Sequence, residues 1–215
     1  ITSWTPEPWD SKRKRHRMRD AEEKLRKALN RPARPSSDFD LNPAITLPPG
    51  RSLRPAAVLV PVWLHPEGAR LILTKRASHL KHHPGQIAFP GGKVDDGDDG
   101  VVGAALREAQ EEIALPPAQV EIAGTLPQHE TVTGFTVTPV LGFLRAPFTP
   151  IPEAGEVEEV FTLPLSHVLT PANFAIERRR WRNEWRRYYA VPYGPYYIWG
   201  ATARILRGLA DRVTP

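Results

Sequence analysis

The residues with the clearest chemical potential are three clustered carboxylates that follow a glycine turn. The turn is Phe89-Pro90-Gly91-Gly92, and the carboxylates are those of Glu108, Glu111 and Glu112, preceded by Arg107. On a helix, positions three and four apart share a face, so Glu108 is expected beside both other glutamates. Carboxylate oxygens are the ligands that Mg²⁺ prefers, together with water and substrate phosphates. The pattern therefore predicts a Mg²⁺ or Mn²⁺ site, and the alternative is a solvated acidic helix face.

The segment from Phe89 to Leu115 resembles the Nudix box of pyrophosphohydrolases, written G-x5-E-x7-R-E-U-x-E-E-x-G-U, where U is a bulky apolar residue. Its Arg-Glu and Glu-Glu pairs are intact. One extra residue separates Gly92 from Arg107, and an aspartate replaces the first glutamate of the pattern. That aspartate is Asp98 when counted from Gly92, and Asp99 when counted back from Arg107.

The end of the box also departs from the pattern. Ala109 stands where the pattern has its first bulky apolar residue, and Ala114 stands where it has a late glycine. We expect Pro116-Pro117 to end the helix in place of a glycine cap.

The preceding segment resembles the signature of one branch of the family, the coenzyme A pyrophosphatases. That signature has an L-T-K-R-like strand end and an L-R-x-H-x-G-Q loop, matched here by residues 73–78 and 80–88. Lys81 stands where the branch has arginine; it keeps the charge but loses the planar fork that grips a phosphate. The resemblance covers residues 54 to 210.

The resemblance implies a metal-dependent hydrolase that cleaves the diphosphate of a nucleotide derivative. It points to coenzyme A or acyl-coenzyme A, giving 3′,5′-ADP and phosphopantetheine or its acyl form. Glu108 and Glu112 would be the main metal ligands, with Glu111 assisting and the Gly91 carbonyl as an extra oxygen. The catalytic residues would be Glu108, Glu111, Arg107 and Glu156.

Two of these assignments have open alternatives. Arg107 is placed to hold the carboxylates by ion pairing, or it forms an exposed salt bridge with a residue one turn away. Glu156 is expected to be the general base or an additional metal ligand. Alternatively it solvates a loop together with its acidic neighbours Glu153, Glu158 and Glu159.

Cations and aromatics suggest how substrate would bind. Phosphate contacts are predicted for Lys75, Arg76, Lys81, His83, Gly91 and Gly92, although any one of the cations could be an ordinary surface charge. His82 and His129 are weaker candidates, because a lone histidine is more often structural. The aromatics could stack an adenine or form core or a dimer interface; they are Trp181, Trp185, Tyr188, Tyr189, Tyr193, Tyr196, Tyr197 and Trp199.

Two other functions remain open at the level of the sequence. One is a Nudix pyrophosphatase acting on ADP-ribose, NADH or a damaged nucleotide. The other is a non-catalytic Nudix-fold ligand sensor or nucleic-acid-binding module. The intact glutamates argue against the second, whereas the basic run from Lys12 to Arg19 argues weakly for it, so nucleic acid is not the expected partner.

Composition sets the limits of the fold and the compartment. The 215 residues are 40% apolar, enough for one large core, and contain no cysteine, which excludes disulfides and thiolate chemistry. No apolar run approaches the roughly 20 residues of a membrane helix. The first residues lack the regions of a secretory signal, so a cytoplasmic protein is expected, with a homodimer as an open possibility.

Apolar periodicity predicts the elements that must position these residues. Residues 1–53 are read as a basic amphipathic helix with a proline-rich connector, and 54–215 as the Nudix hydrolase domain. Strands are predicted at 56–64, 70–74, 120–123, 131–144 and 156–163, a hairpin within 178–199, and helices at 101–115, 164–169 and 201–213. Together with the resemblance, this implies an α/β fold, the Nudix-type α/β/α sandwich around a mixed β-sheet.

Overall fold

The computed structural model describes residues 9–45, 47, 50–80, 83–181 and 184–214. The side chains of residues 9–17 and 181 are outside the described set. The side chains of the basic run as far as Arg17, and the whole of Lys81 and His82, therefore lie outside it.

The described helices and strands do not follow a strict strand-helix-strand repeat along the chain. The helices are α1 (Trp9–Leu29), α2 (Gly100–Ile113), α3 (Leu165–Val168) and α4 (Gly200–Val213). The strands are β1 (Ser36–Ser37), β2 (Arg54–Trp63), β3 (Arg70–Arg76), β4 (Ile87–Ala88), β5 (Gly91–Lys93), β6 (Val120–Thr125), β7 (His129–Glu130), β8 (Phe135–Leu144), β9 (Val157–Pro164), β10 (Ala175–Trp181) and β11 (Glu184–Ala190).

Nine of these strands form one mixed sheet with β2 at its centre. The sheet runs β1-β7-β8-β2-β3-β4, with β5 paired to β2, β6 to β8 and β9 to β3. Strands β2 and β8 are parallel over their full length, whereas β2 with β3 and β3 with β9 are antiparallel. The remaining strands, β10 and β11, form a separate antiparallel hairpin.

Side chains along β2 point alternately to the two faces of the sheet, and on each face they pack into an apolar cluster. Ala57 and Leu59 pack in the cluster that includes Ala105 and Ala109 of α2. Val60 and Val62 point the other way, into the cluster that contains residues of α1, α3 and α4. A two-residue period on a sheet covered on both faces gives these two cores. The predicted α/β/α sandwich around a mixed sheet is confirmed.

The last turns of α1 belong to the second core. Leu25 is fully buried and Ala28 nearly so. The buried guanidinium of Arg212 in α4 donates to the carbonyl oxygens of Leu29 and Arg31, each at 2.9 Å, where α1 ends. A cation suits the carbonyl end of a helix. The N-terminal segment thus packs onto the body, and the proposed domain boundary at residue 53 stays a prediction.

Three sequence expectations need adjustment. The strand predicted from residue 131 begins at Phe135, because Thr131 and Gly134 form a tight turn in which the Gly134 N–H donates to the Thr131 carbonyl at 3.1 Å. The predicted hairpin starts earlier, at Ala175, and ends at Ala190, because prolines and a glycine interrupt the chain between residues 192 and 195. The short strands β1, β4, β5 and β7 were not predicted, since two or three residues carry no periodicity.

Candidate active site

The glycine turn lies against both β2 and α2. A Cβ on Gly91 would lie 2.4 Å from the Ala57 carbonyl oxygen, and a Cβ on Gly92 would lie 2.3 Å from Oε1 of Glu108. Both contacts are shorter than real Cβ atoms make. The contact at Gly91 is with fixed backbone, so that position requires a glycine, whereas a side chain at Gly92 would have to displace the Glu108 carboxylate. The Glu108 carboxylate therefore rests directly on the backbone of the turn.

Glu112 is the buried carboxyl of the cluster. Only 5% of it is exposed, and its Oε2 accepts the Gly91 N–H at 3.3 Å. Burial, and then the neighbouring charges of Glu108 and Glu156, raise the pKa of Glu112 to about 8. Burial also raises the pKa of Glu108. Both effects show that negative charge is disfavoured here until a cation or proton compensates it.

Arg107 ties the carboxylates together. Its guanidinium donates to both oxygens of Asp98 at 2.8 and 3.0 Å, and to Glu108 and Glu111 at 3.0 Å each. The bidentate contact lowers the pKa of Asp98 to about 2. This network is more than the exposed single salt bridge considered from the sequence. It also identifies Asp98, and not Asp99, as the partner that takes the place of the pattern's first glutamate.

Glu156 comes from a different part of the chain and lies near the same cluster. Its carbonyl accepts the Ala77 N–H at 2.8 Å, which holds the loop before β9 beside the end of β3. The charge of Glu156 contributes to the raised pKa of both Glu108 and Glu112. The fold thus places Glu156 close enough for its charge to act on Glu108 and Glu112.

The cations that precede the glycine turn are not equivalent. Lys75 forms an ion pair with Glu158 at 2.6 Å, and the same carboxylate accepts hydrogen bonds from Ser78. These contacts lower the pKa of Glu158 to about 2, with Lys75 as the main cause. Arg76 lies close enough to Glu112 to act against its raised pKa. Arg76 is therefore near the carboxylates, whereas Lys75 joins strands β3 and β9.

A cavity of about 450 Å³ opens beside the glycine turn. Gly91, His83 and Gln86 line one side of it, and Arg179 and Arg186 of the hairpin line the other. The sequence predicted a hairpin with aromatic side chains here, and Arg179 and Arg186 were given no role from it. The available signal was the two arginine runs at 178–180 and 186–187.

The aromatic residues divide between packing and the cavity. Tyr188 and Trp199 line the cavity, with their ring centroids 5.2 Å apart in an edge-to-face arrangement. Tyr196 stacks on Phe161 at 3.6 Å and so belongs to the scaffold. Trp185 is 60% exposed, on the side of the hairpin that faces solvent.

His129 has a structural position. It is fully buried, and its two ring nitrogens contact Ser36 at 3.0 Å and Asp38 at 3.1 Å. The other Asp38 oxygen accepts the Val132 N–H at 2.9 Å. These contacts attach the N-terminal connector to β7.

The donor set at the carboxylates fits a hard cation. The pKa values of Glu108 and Glu112 are raised, so a compensating cation is favoured beside them, and carboxylate oxygens are the donors that a hard cation prefers. Within the described ranges, no three Asp, Glu or His side chains converge closely enough to hold an ion by themselves. The oxygens of Glu108 and Glu111 are hydrogen-bonded to Arg107 instead.

Comparison with known proteins assigns the chain to a family. The NUDIX domain model matches residues 53–184. The chain is 46% identical over 160 residues to the "Uncharacterized Nudix hydrolase NudL" of Enterobacter sp. (strain 638), covering 74% of this chain and 83% of that protein. It is 42% identical over 194 residues to the protein of the same name from Pectobacterium atrosepticum, covering 84% and 98%. A solved Nudix hydrolase from M. smegmatis, RenU, superposes with a TM-score of 0.47 at 25% identity, over 54% of this chain and 74% of that one.

The chain therefore belongs to the Nudix hydrolases and is a pyrophosphohydrolase. Enzymes of this family generally use divalent metal ions, which agrees with the donor chemistry of the carboxylate cluster. The matched relatives are named hydrolases, which favours an enzyme over the non-catalytic Nudix-fold module considered from the sequence. None of the described helices is long and apolar enough to cross a membrane.

Proposed function

We propose that this enzyme hydrolyses the diphosphate of coenzyme A or acyl-coenzyme A, with Mg²⁺ or Mn²⁺, to 3′,5′-ADP and phosphopantetheine or its acyl form. The observation that carries the proposal is a cavity that joins Gly91, next to the buried Glu112, to a basic and aromatic wall. A diphosphate can lie at the first end while a nucleotide occupies the second. The coenzyme A-type segment from Leu73 to Ala88 leads directly into this cavity.

The site residues divide the work of binding and positioning. Glu108 and Glu112 would hold the metal, with Glu111 and the Gly91 carbonyl as further ligands. When bound, the metal neutralises diphosphate oxygens and makes a bound water more acidic. Arg107 holds the Glu108 and Glu111 carboxylates in place, which keeps their rotamers ready for the ion.

Glu156 is proposed as the general base or as an additional ligand. It lies near Glu108 and Glu112, so a water between these groups and the substrate could lose its proton to Glu156. Arg76 would face the diphosphate, because its charge is felt at Glu112. His83 and Gln86 line the cavity beside the turn. Lys81 remains a proposed phosphate contact, while Lys75 is engaged with Glu158.

Product analysis tests the proposal. The purified chain is incubated with coenzyme A and Mg²⁺ or Mn²⁺, and the products are identified by mass spectrometry. We expect 3′,5′-ADP and phosphopantetheine in equal amounts. Glu112→Gln should lower kcat by several orders of magnitude, while Glu67→Gln, in the exposed turn between β2 and β3, should not.

The same assay separates the rival substrates. If the enzyme leaves coenzyme A intact but cleaves ADP-ribose or NADH efficiently, the substrate is of the alternative nucleotide class and the proposal is wrong. Near wild-type turnover by Glu112→Gln at saturating metal would instead show that the metal site is wrongly assigned. The expected cytoplasmic location agrees with a coenzyme substrate and a cysteine-free chain.

A further inference from the structure

The β10–β11 hairpin presents two arginines side by side to the cavity. In the strand register Arg179 lies directly opposite Arg186, and both line the cavity. Because side chains alternate between the faces of a strand, Arg178 and Arg180 point to the other face. There the guanidinium of Arg178 lies 4.8 Å from the ring centre of the exposed Trp185.

Two positive charges directly opposite each other on a hairpin repel, so the wall formed by Arg179 and Arg186 favours an anion in the cavity. The guanidinium of Arg179 lies 4.8 Å from the ring centre of Trp199, which holds it at the cavity wall. That of Arg186 lies 5.9 Å from the ring centre of Phe39. Asp38 also lines the cavity, but its carboxylate is engaged by His129 and the Val132 N–H. An anion between the two guanidiniums would relieve their repulsion.

The wall that carries the arginines is anchored to the rest of the fold. Asn42, which is buried, donates to the Arg187 carbonyl at 2.9 Å and accepts the Arg187 N–H at 2.8 Å. Tyr189 of the same strand contacts α4, where the guanidiniums of Arg204 and Arg207 each lie 5.7 Å from its ring centre. These contacts hold the backbone of β11, the strand that carries Arg186, in place.

We propose that Arg179 and Arg186 bind a phosphate monoester of the substrate, distinct from the diphosphate that is cleaved. A planar guanidinium fork matches two phosphate oxygens, and two forks on neighbouring strands can grip one group. The cavity has the volume of a small-molecule site. The assignment rests on the proposed function, since coenzyme A carries such a group at the ribose 3′ position, and it makes the hairpin the specificity element of the enzyme.

Kinetics on two substrates test the role of the pair. Arg179→Ala and Arg186→Ala should each lower kcat/KM for coenzyme A by about 10- to 150-fold, the usual effect of a charge-assisted hydrogen bond. With dephospho-coenzyme A, which lacks the 3′-phosphate, the loss should be less than about threefold. The matched control is Arg180→Ala, a neighbouring exposed arginine on the opposite face, which should change neither value. Arg179→Lys should fall between wild type and alanine.

Equal losses on the two substrates, or none on coenzyme A, would overturn the assignment. A binding experiment keeps it separable from the proposed function. By calorimetry, the wild-type chain should bind 3′,5′-ADP at least about tenfold more tightly than 5′-AMP. Arg179→Ala should lose that preference, and Arg180→Ala should keep it. If the preference for 3′,5′-ADP depends on Arg179 but coenzyme A is not cleaved, the proposed function fails and the phosphate site stands. If coenzyme A is cleaved but the preference survives in Arg179→Ala, the proposed function stands and the phosphate site fails.

Discussion

At the scale of single residues, the carboxylate cluster lowers the stability of the metal-free fold and provides the donors of the proposed metal site. Glu112 is almost fully buried and lies among other acids, so its charge is compensated poorly without a cation. A group arranged in this way weakens the metal-free fold but binds metal well when deprotonated. Stability and activity should therefore respond oppositely to its replacement.

The pH dependence of unfolding follows from Glu112. Its pKa rises from an ordinary 4.5 to about 8 on folding, so the native state holds the extra proton between these values and loses stability as the pH rises. Glu112→Gln cannot ionise. In EDTA its melting temperature should exceed that of wild type at pH 8.5, by about 2 to 4 °C per kcal/mol relieved, and the difference should shrink toward pH 5.

Glu111→Gln is the control for this measurement, because the Glu111 side chain is 59% exposed and lies on the same helix. Its melting curve should follow wild type within about 2 °C across the same range. A wild-type protein at least as stable as Glu112→Gln at pH 8.5 would mean that the Glu112 charge is compensated in the metal-free fold.

Asp98 and Asp99 are adjacent acids with different partners. Asp98 grips Arg107 through both oxygens, whereas Asp99, the residue before α2, makes no capping hydrogen bond with its side chain. Asp98→Asn should release Arg107 and reduce kcat/KM about 10- to 100-fold, as is usual for residues that orient metal ligands. Asp99→Asn should stay within about threefold. The measurement is steady-state kinetics with saturating metal. A larger loss of kcat/KM in Asp99→Asn than in Asp98→Asn would show that Asp99 is the partner of Arg107.

At the scale of elements, the end of α2 is stabilised without a glycine. Ala114 adopts the left-handed conformation with φ of 56°, and its N–H donates to the Gln110 carbonyl at 3.0 Å. The conformation that a glycine would provide is thus formed by an alanine, before Pro116 and Pro117 are reached. An L-residue with a Cβ is strained there by about 1 to 2 kcal/mol.

Ala114→Gly should remove this strain and raise the free energy of unfolding by about 0.5 to 1 kcal/mol, because part of the gain is offset by the flexibility of glycine in the unfolded chain. Gly100 provides the reciprocal control at the other end of α2. Its φ is 61° and the space around it is open, so Gly100→Ala should lower stability by about 1 kcal/mol through strain alone. Urea titration of both variants gives the comparison, and shifts of the same sign would contradict it.

At the scale of the whole molecule, the N-terminal segment is part of the enzyme's architecture. Leu25 fills the core on the face of the sheet opposite α2, and Asp38 and Asn42 of the connector line the cavity. The N-terminal segment therefore contributes both to the core and to the wall of the cavity.

Leu25→Ala should lower the free energy of unfolding by about 2 to 5 kcal/mol, since it leaves a cavity where the side chain is fully enclosed. Lys24→Ala is the neighbouring control. The Lys24 side chain is 56% exposed and paired with Asp20 at 2.8 Å, which is worth less than about 1 kcal/mol. Denaturant unfolding gives the free energy of unfolding of both variants. Equal values for Leu25→Ala and Lys24→Ala would show that α1 does not pack as described. The folded fraction of Leu25→Ala should keep kcat within a few-fold, because α2 lies on the other face.

The amino-acid sequence by itself determined the elements and the chemistry that depend on local spacing. The period of α2, the glycines of the turn and the box glutamates are all readable within one segment. Strands β2, β3 and β9 were predicted within a few residues because each carries its own apolar pattern. Such signals arise from neighbours along the chain, and a single sequence displays them directly.

Only the tertiary structure decided which distant residues meet. The choice of Asp98 over Asp99 depends on how the loop before α2 folds onto Arg107, and Lys75 is drawn to Glu158 by the pairing of β3 with β9. The facing of Arg179 toward the cavity depends on the hairpin register, where a shift of one residue would turn it away. These outcomes are set by contacts between segments far apart in sequence, and no local pattern encodes them.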